Sequence, residues 1–129
     1  MARILVVDDL PDVARAIARM LHNHETVVET DPRRAIARIV GGRFDVVLVD
    51  FDMPYMTGRA VSDALVAAHL ARPPIVLVMS GSENVAALYA TGRAVLIKPF
   101  SGDELRDLVS TMLHEHAELA EHTQHHPGA

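Results

Sequence analysis

Ile4-Leu5-Val6-Val7-Asp8-Asp9, an apolar run that ends on acid, sets a pattern that the chain repeats three more times. Val46-Val47-Leu48-Val49 runs into Asp50, Ile75-Val76-Leu77-Val78-Met79 into Ser80, and Ala94-Val95-Leu96-Ile97 into Lys98. Runs this short and this rich in Val and Ile read as strands buried on both faces of a parallel sheet. In an open parallel α/β sheet, ligands bind in the crevice beyond the carboxyl ends of the strands. The four endings therefore gather three carboxylates, a hydroxyl and an ammonium at one edge. Such a set suits divalent metal and phosphoryl chemistry.

Helical spacing fills the gaps between these runs. Pro11 suits a first helical position, and Val13, Ile17, Met20 and Leu21 recur on one face behind it. Thr26–Glu29 reads as a weaker second strand. Asp31-Pro32 reads as an N-cap and first turn of a helix carrying Ala35, Ile36 and Ile39, stopped by Gly41-Gly42. A loop from Asp50 to Gly58 holds Pro54 and precedes a third helix marked by Val61, Leu65 and Ala68. A short Ala-rich helix is expected around Glu83–Ala90. The last helix begins near Ser101, with Glu104 placed for a capping box, and buries Leu105, Leu108, Val109 and Met112. Strand and helix alternate five times, the mark of a doubly wound sheet.

Bulk properties exclude several classes. A chain of 129 residues, half of them hydrophobic, fits one domain with a real core. Its apolar runs fall well short of the roughly 20 residues needed to span a bilayer, and Met1-Ala2-Arg3 leads directly into a strand, leaving no room for a signal peptide. With no cysteine there is neither disulfide nor thiolate chemistry, which suits the cytoplasm. A net charge of −5 and only 4% aromatic residues argue against nucleic-acid binding. The expected partners are therefore proteins, with no nucleic acid and no membrane.

Asp8, Asp9 and Asp50 in one crevice repel each other unless a cation relieves them, and a hard divalent ion with oxygen ligands does so. An aspartate beside such an ion can act as nucleophile toward phosphorus. Ser80 offers a hydrogen bond to a phosphoryl oxygen, Lys98 a compact positive charge, and Gly81 room for the incoming group. Taken singly, each of these residues reads as a loop start, a helix cap or a solvated strand end. Their joint order, with each at a carboxyl edge, favours a site.

On these residues the sequence resembles the receiver domains of two-component response regulators, from about Arg3 to Leu113. The motifs are Asp8-Asp9, then Asp50-Phe51-Asp52-Met53-Pro54 continuing to Gly58, then Ser80-Gly81, and Lys98-Pro99-Phe100. The resemblance implies a flavodoxin-like α/β fold, a doubly wound five-stranded parallel sheet of order 2-1-3-4-5. It implies Asp50 as acceptor of a phosphoryl group from a histidine kinase or histidine phosphotransfer protein. Mg²⁺, or Mn²⁺ in its place, would be held by Asp9 and Asp50 and by the main-chain carbonyl of Asp52, with Asp8 orienting the site. Ser80 and Lys98 would bind the phosphoryl oxygens, and the Lys98–Pro99 peptide would be cis. Phosphorylation would shift conformation and partner binding, so the resemblance implies a phosphoacceptor of a phosphorelay that assists only its own phosphotransfer and dephosphorylation.

Three departures from the family stand out. Val95 occupies the position, three before the lysine, where an aromatic switch residue is common. Only 18 positions separate Ser80 from Lys98, about one helical turn fewer than usual, which implies a shortened fourth helix. Ser80 replaces the commoner Thr. Asp52 and Ser82 sit at the positions that tune phosphoryl lifetime in the family.

Two other readings compete. A haloacid-dehalogenase-like phosphatase would explain Asp50-Phe51-Asp52, but there the nucleophile lies on the first strand and the acid pair comes last, the reverse of the order here. A receiver-like interaction domain that is never phosphorylated needs no intact acceptor site, whereas all the core site residues are present. The domain is expected to span residues 1–113, followed over 114–129 by a His-rich extension, helical and then disordered. That tail holds His114, His116, His122, His125 and His126. It reads as a helix end rather than a metal site, because His114 and His116 do not share a helical face. His22 and His24 read as cations favoured near the end of the first helix. No output domain follows, so the chain reads as a stand-alone receiver.

Overall fold

The computed structural model describes residues 1–53, 58–81 and 93–124. Each apolar run forms a strand: β1 (Arg3–Val7), β3 (Val46–Asp50), β4 (Ile75–Gly81) and β5 (Ala94–Lys98), with β2 (Glu25–Glu29) as the weaker fifth. All pairings are parallel and the order is β2-β1-β3-β4-β5. Side chains alternate between the two faces, and both faces are covered, which is why these strands are apolar throughout. On one face Leu5, Val7, Val47, Val49, Val76 and Val78 pack against Ala35, Ile39, Val61 and Leu65. These belong to helices α2 (Pro32–Gly41) and α3 (Gly58–Ala68). On the other face Ile4, Val6, Leu48, Leu77 and Met79 meet α1 (Pro11–Met20) and α4 (Gly102–Gln124) through Ile17, Leu105 and Val109. The fold is the expected doubly wound α/β sheet.

Local chemistry sets the helix ends. Pro11 takes the first position of α1, behind Leu10. Asp31 caps α2 by accepting the Arg33 amide at 3.0 Å, and Ser101 Oγ accepts the Glu104 amide at 3.0 Å ahead of α4. Arg106 of α4 donates to the Met20 carbonyl at 2.8 Å, satisfying an orphan acceptor at the end of α1.

Several sequence expectations need adjusting. Gly42 closes α2 in a right-handed conformation, and the left-handed residue is Arg43 (φ 54°). Gly42 is required by space: a Cβ there would lie 2.3 Å from the Phe44 ring and 2.5 Å from the Arg38 carbonyl oxygen. His24 is not a helix-end cation. Its Nδ1 accepts the Ala2 amide at 3.0 Å, and burial followed by the nearby chain-terminal charge lowers its pKa. The short helix read at Glu83–Ala90, together with Pro54 and Ser82, lies outside the described residues. Apart from these adjustments, α4 runs to Gln124, eleven residues past Leu113, within the stretch expected to begin as a helical extension. No helix among the described residues is long and apolar enough to cross a membrane.

Candidate functional site

Parallel register decides what meets at the carboxyl edge. β1 ends at Val7, paired with Val49, so Asp8 emerges beside Asp50. Asp50 pairs with Met79 and Gly81 with Lys98, which places Ser80 and Lys98 in the same rim. Asp50 and Lys98 thus close their strands and Ser80 is the penultimate residue of its own, so none of the three is a loop residue. Backbone geometry fixed by the sheet positions them, which gives more precision than a loop would.

The carboxylates of Asp8, Asp9 and Asp50 each offer an oxygen, and the three oxygens lie within 4.8 Å of one another. Asp8, Asp50 and Ser80 are buried, whereas Asp9 is half-exposed. Lys98 Nζ stands 3.4 Å from Asp8 Oδ2 and 3.4 Å from Asp50 Oδ2, so one ammonium bridges the two buried acids. The remaining oxygens take backbone donors: Leu10 N–H to Asp8 Oδ1 and Asp52 N–H to Asp50 Oδ1, each at 3.0 Å. Asp8 therefore has one oxygen held by the chain that enters α1 and the other facing Lys98.

Burial raises the Asp50 pKa, and the Asp8 charge adds to the rise; the Asp52 amide and the Lys98 ammonium oppose it. The balance is a carboxylate held at some cost in its charged form. Three acids facing one lysine leave net negative charge in a buried rim. Hard oxygen donors in that arrangement suit a divalent cation such as Mg²⁺.

Ser80 has a partner that sequence reasoning missed. Its Oγ donates to Asp52 Oδ2 at 2.5 Å. The resemblance gives Asp52 as a main-chain ligand and as a position that tunes phosphoryl lifetime, not as an acceptor for Ser80. A signal existed in the register: Phe51 N–H donates to the Met79 carbonyl at 2.8 Å, extending the β3–β4 pairing one residue and bringing position 52 to the level of Ser80. The Lys98–Pro99 peptide is cis, as the resemblance implied. Val95 pairs with Val78 and packs into the α2–α3 side of the core. The structure thus brings Asp8, Asp9, Asp50, Asp52, Ser80 and Lys98 together.

Beyond this geometry, residues 4–110 match the sequence profile of the response regulator receiver domain. The chain belongs to that family. Among curated relatives, it is 35% identical over 107 residues to the transcriptional regulatory protein TcrA of Mycobacterium tuberculosis, covering 80% of this chain and 42% of TcrA. The chain thus spans less than half the length of that relative. It is 27% identical to the chemotaxis protein CheY of Pseudomonas aeruginosa, with 83% of this chain and 92% of CheY covered. In three dimensions it is similar to the receiver domain of the Francisella response regulator 1452, with a TM-score of 0.75, 29% identity, and coverage of 89% of this chain and 98% of that one. The receiver family comprises signalling phosphoacceptors rather than turnover enzymes. That assignment removes the hydrolase reading, whose chain order already disagreed.

Proposed function

We propose that this receiver accepts a phosphoryl group on Asp50 from a histidine kinase or histidine phosphotransfer protein and passes the state on by altered protein contacts. One observation carries the reading: a nearly buried aspartate at the end of the central strand, within reach of two further carboxylates and bridged to Asp8 by Lys98. A purely structural acid at this place gains nothing from burial, which disfavours its charge. A nucleophile gains desolvation and position.

An Asp50 carboxylate oxygen attacks phosphorus. The P–N bond to the donor imidazole breaks, and the electron pair leaves on nitrogen, which takes up a proton. Asp8, Asp9 and Asp50, with the Asp52 carbonyl, would hold Mg²⁺ or Mn²⁺, which would supply positive charge against the carboxylates and the phosphoryl oxygens. Lys98, already beside Asp50, turns its charge to a phosphoryl oxygen. Ser80 must exchange Asp52 Oδ2 for another, while Gly81 leaves room. Asp52, Ser82 and Val95 then modulate lifetime and outward coupling.

The switch is a population shift between two arrangements of Ser80 and Lys98. Because Val95 packs in the core, the signal travels through aliphatic repacking rather than an aromatic swing. Residues 1–113 form this receiver, working in the cytoplasm, and 114–129 form an appended extension. Incubation with Mg²⁺ and acetyl phosphate followed by intact mass tests the reading. One phosphoryl increment is expected on the wild type and none on Asp50→Asn; no increment on the wild type sinks it.

A further inference from the structure

At the amino ends of the strands, opposite the acidic rim, the loops that follow α2 and α3 flank a cavity of about 580 Å³. Parallel register brings these loops together. β3 opens at Val46 beside Ile75 of β4, and the Ile75 N–H donates to the Asp45 carbonyl at 2.9 Å. Ile39, Phe44, Leu70 and Pro74 make an apolar wall. Arg3 fixes the Phe44 ring, standing 4.5 Å from its centroid while it donates to the Gly42 carbonyl. The wall is therefore preformed, and the volume falls within the roughly 300–1,000 Å³ of small-molecule sites.

Arg43 and Arg72 line the same cavity, one from each loop, and both are exposed. Among the described residues neither guanidinium has an ion pair or a hydrogen bond. Arg33, Arg34, Arg38 and Arg106, by contrast, each pair with an acid. The one acid in the lining, Asp45, is engaged, its Oδ2 accepting the Arg3 N–H at 2.8 Å. In a chain of net charge −5, two uncompensated guanidinium groups beside an apolar wall favour an anion. Backbone conformation adds an independent observation. Arg43 (φ 54°) and His69 (φ 48°) are the left-handed non-glycine residues among the described ones, and they lie in these two loops. Glycine takes this conformation without the steric cost that a Cβ brings. Gly41 and Gly42 precede Arg43, yet the left-handed position carries the guanidinium. Backbone held in such a region clusters at ligand sites.

We propose that this cavity binds a small organic anion with an apolar body, of the aryl or alkyl sulfonate, phosphate or carboxylate class. The body lies against Phe44 and Leu70, while Arg43 and Arg72 take the oxyanion with their planar donor forks. Binding there requires no phosphorylation, since the cavity and Asp50 lie at opposite ends of β3.

The test is a fluorescence titration of the full chain with 8-anilinonaphthalene-1-sulfonate, an aromatic sulfonate that brightens in apolar sites. N-phenyl-1-naphthylamine, the same rings without the sulfonate, is the uncharged companion. The wild type is expected to bind the sulfonate. Arg43→Gly and Arg72→Ala should each weaken it about fivefold or more, the equivalent of an exposed ion pair at about 1 kcal/mol, and leave the neutral probe unaffected. Arg43→Gly should melt no lower than the wild type, because glycine relieves the left-handed backbone. Arg19→Ala removes an equal charge from α1, on the other face of the sheet, and should change nothing. Absence of sulfonate binding by the wild type overturns the proposal, as does undiminished binding by Arg43→Gly or Arg72→Ala. Equal weakening of both probes overturns it too, since that marks a damaged wall. So does equal weakening by Arg19→Ala, which marks a diffuse charge effect.

Discussion

Replacing Lys98 by Met removes the ammonium that bridges two buried acids while keeping most of its apolar bulk. Each Nζ–Oδ2 separation is 3.4 Å, which at an effective dielectric constant near 20 is about 5 kcal/mol of attraction per pair before desolvation is charged against it. Most of that gross figure offsets the cost of burying the three charges. Removing one partner of a buried pair costs about 3–5 kcal/mol, because the surviving charge is left uncompensated. The Lys98 side chain retains 29% exposure, so solvent screens part of the field and the loss should fall near about 2–3 kcal/mol. The assay is urea unfolding at pH 7 followed by far-UV circular dichroism, since the chain has no tryptophan. A second arm adds Mg²⁺. With the ammonium gone, a divalent cation at Asp8, Asp9 and Asp50 is the remaining counter-charge, and at a hundred times its dissociation constant it restores about 2.7 kcal/mol. Lys98→Met should therefore depend on Mg²⁺ more steeply than the wild type. A loss below about 0.5 kcal/mol, or a Mg²⁺ dependence identical to the wild type, refutes the bridging role.

Asp50→Asn tests the cost of the buried charge. Burial holds the folded-state pKa of Asp50 above the ordinary 3.8, so the unfolded chain releases this proton first as pH rises. Stability therefore falls through the window between the two values and stays lower above it; Asp50→Asn should be more stable than wild type at pH 7, with the gain vanishing below pH 3.8. Unfolding curves at the two ends of that range check it. Asp52→Ala removes the acceptor that holds Ser80 Oγ, and a double-mutant cycle with Ser80→Ala should return about 1.5–3 kcal/mol of coupling in unfolding free energy. A cycle that closes to zero removes the contact from the account. Gly42→Ala drives a Cβ into the Phe44 ring and should cost about 1–3 kcal/mol, whereas Gly41→Ala, with nothing within 4 Å, should be neutral or mildly stabilising; thermal melts of the two decide.

The apolar runs made the sheet readable, because only strands buried on both faces need to be apolar throughout. Asp31-Pro32 and Ser101 were readable as helix starts because capping is local chemistry. The site was legible as a set of residues, since strand ends in a parallel sheet share an edge. Contacts that depend on register across strands were not. Nothing in the Asp50-Phe51-Asp52 triplet alone says that Asp52 faces Ser80, 28 residues away. Gly41-Gly42 is legible as a helix stop, whereas the Phe44 ring contact that a side chain at Gly42 would meet leaves no trace in local propensity.

The central claim, that Asp50 is the phosphoacceptor, is tested most directly by locating the acyl phosphate. Reduction of the acetyl phosphate-treated protein with borohydride converts an aspartyl phosphate to homoserine, and peptide mass mapping reads its position. The account predicts homoserine at position 50 alone, dependent on Mg²⁺ during phosphorylation. Homoserine at position 8, 9 or 52, or at none, contradicts it.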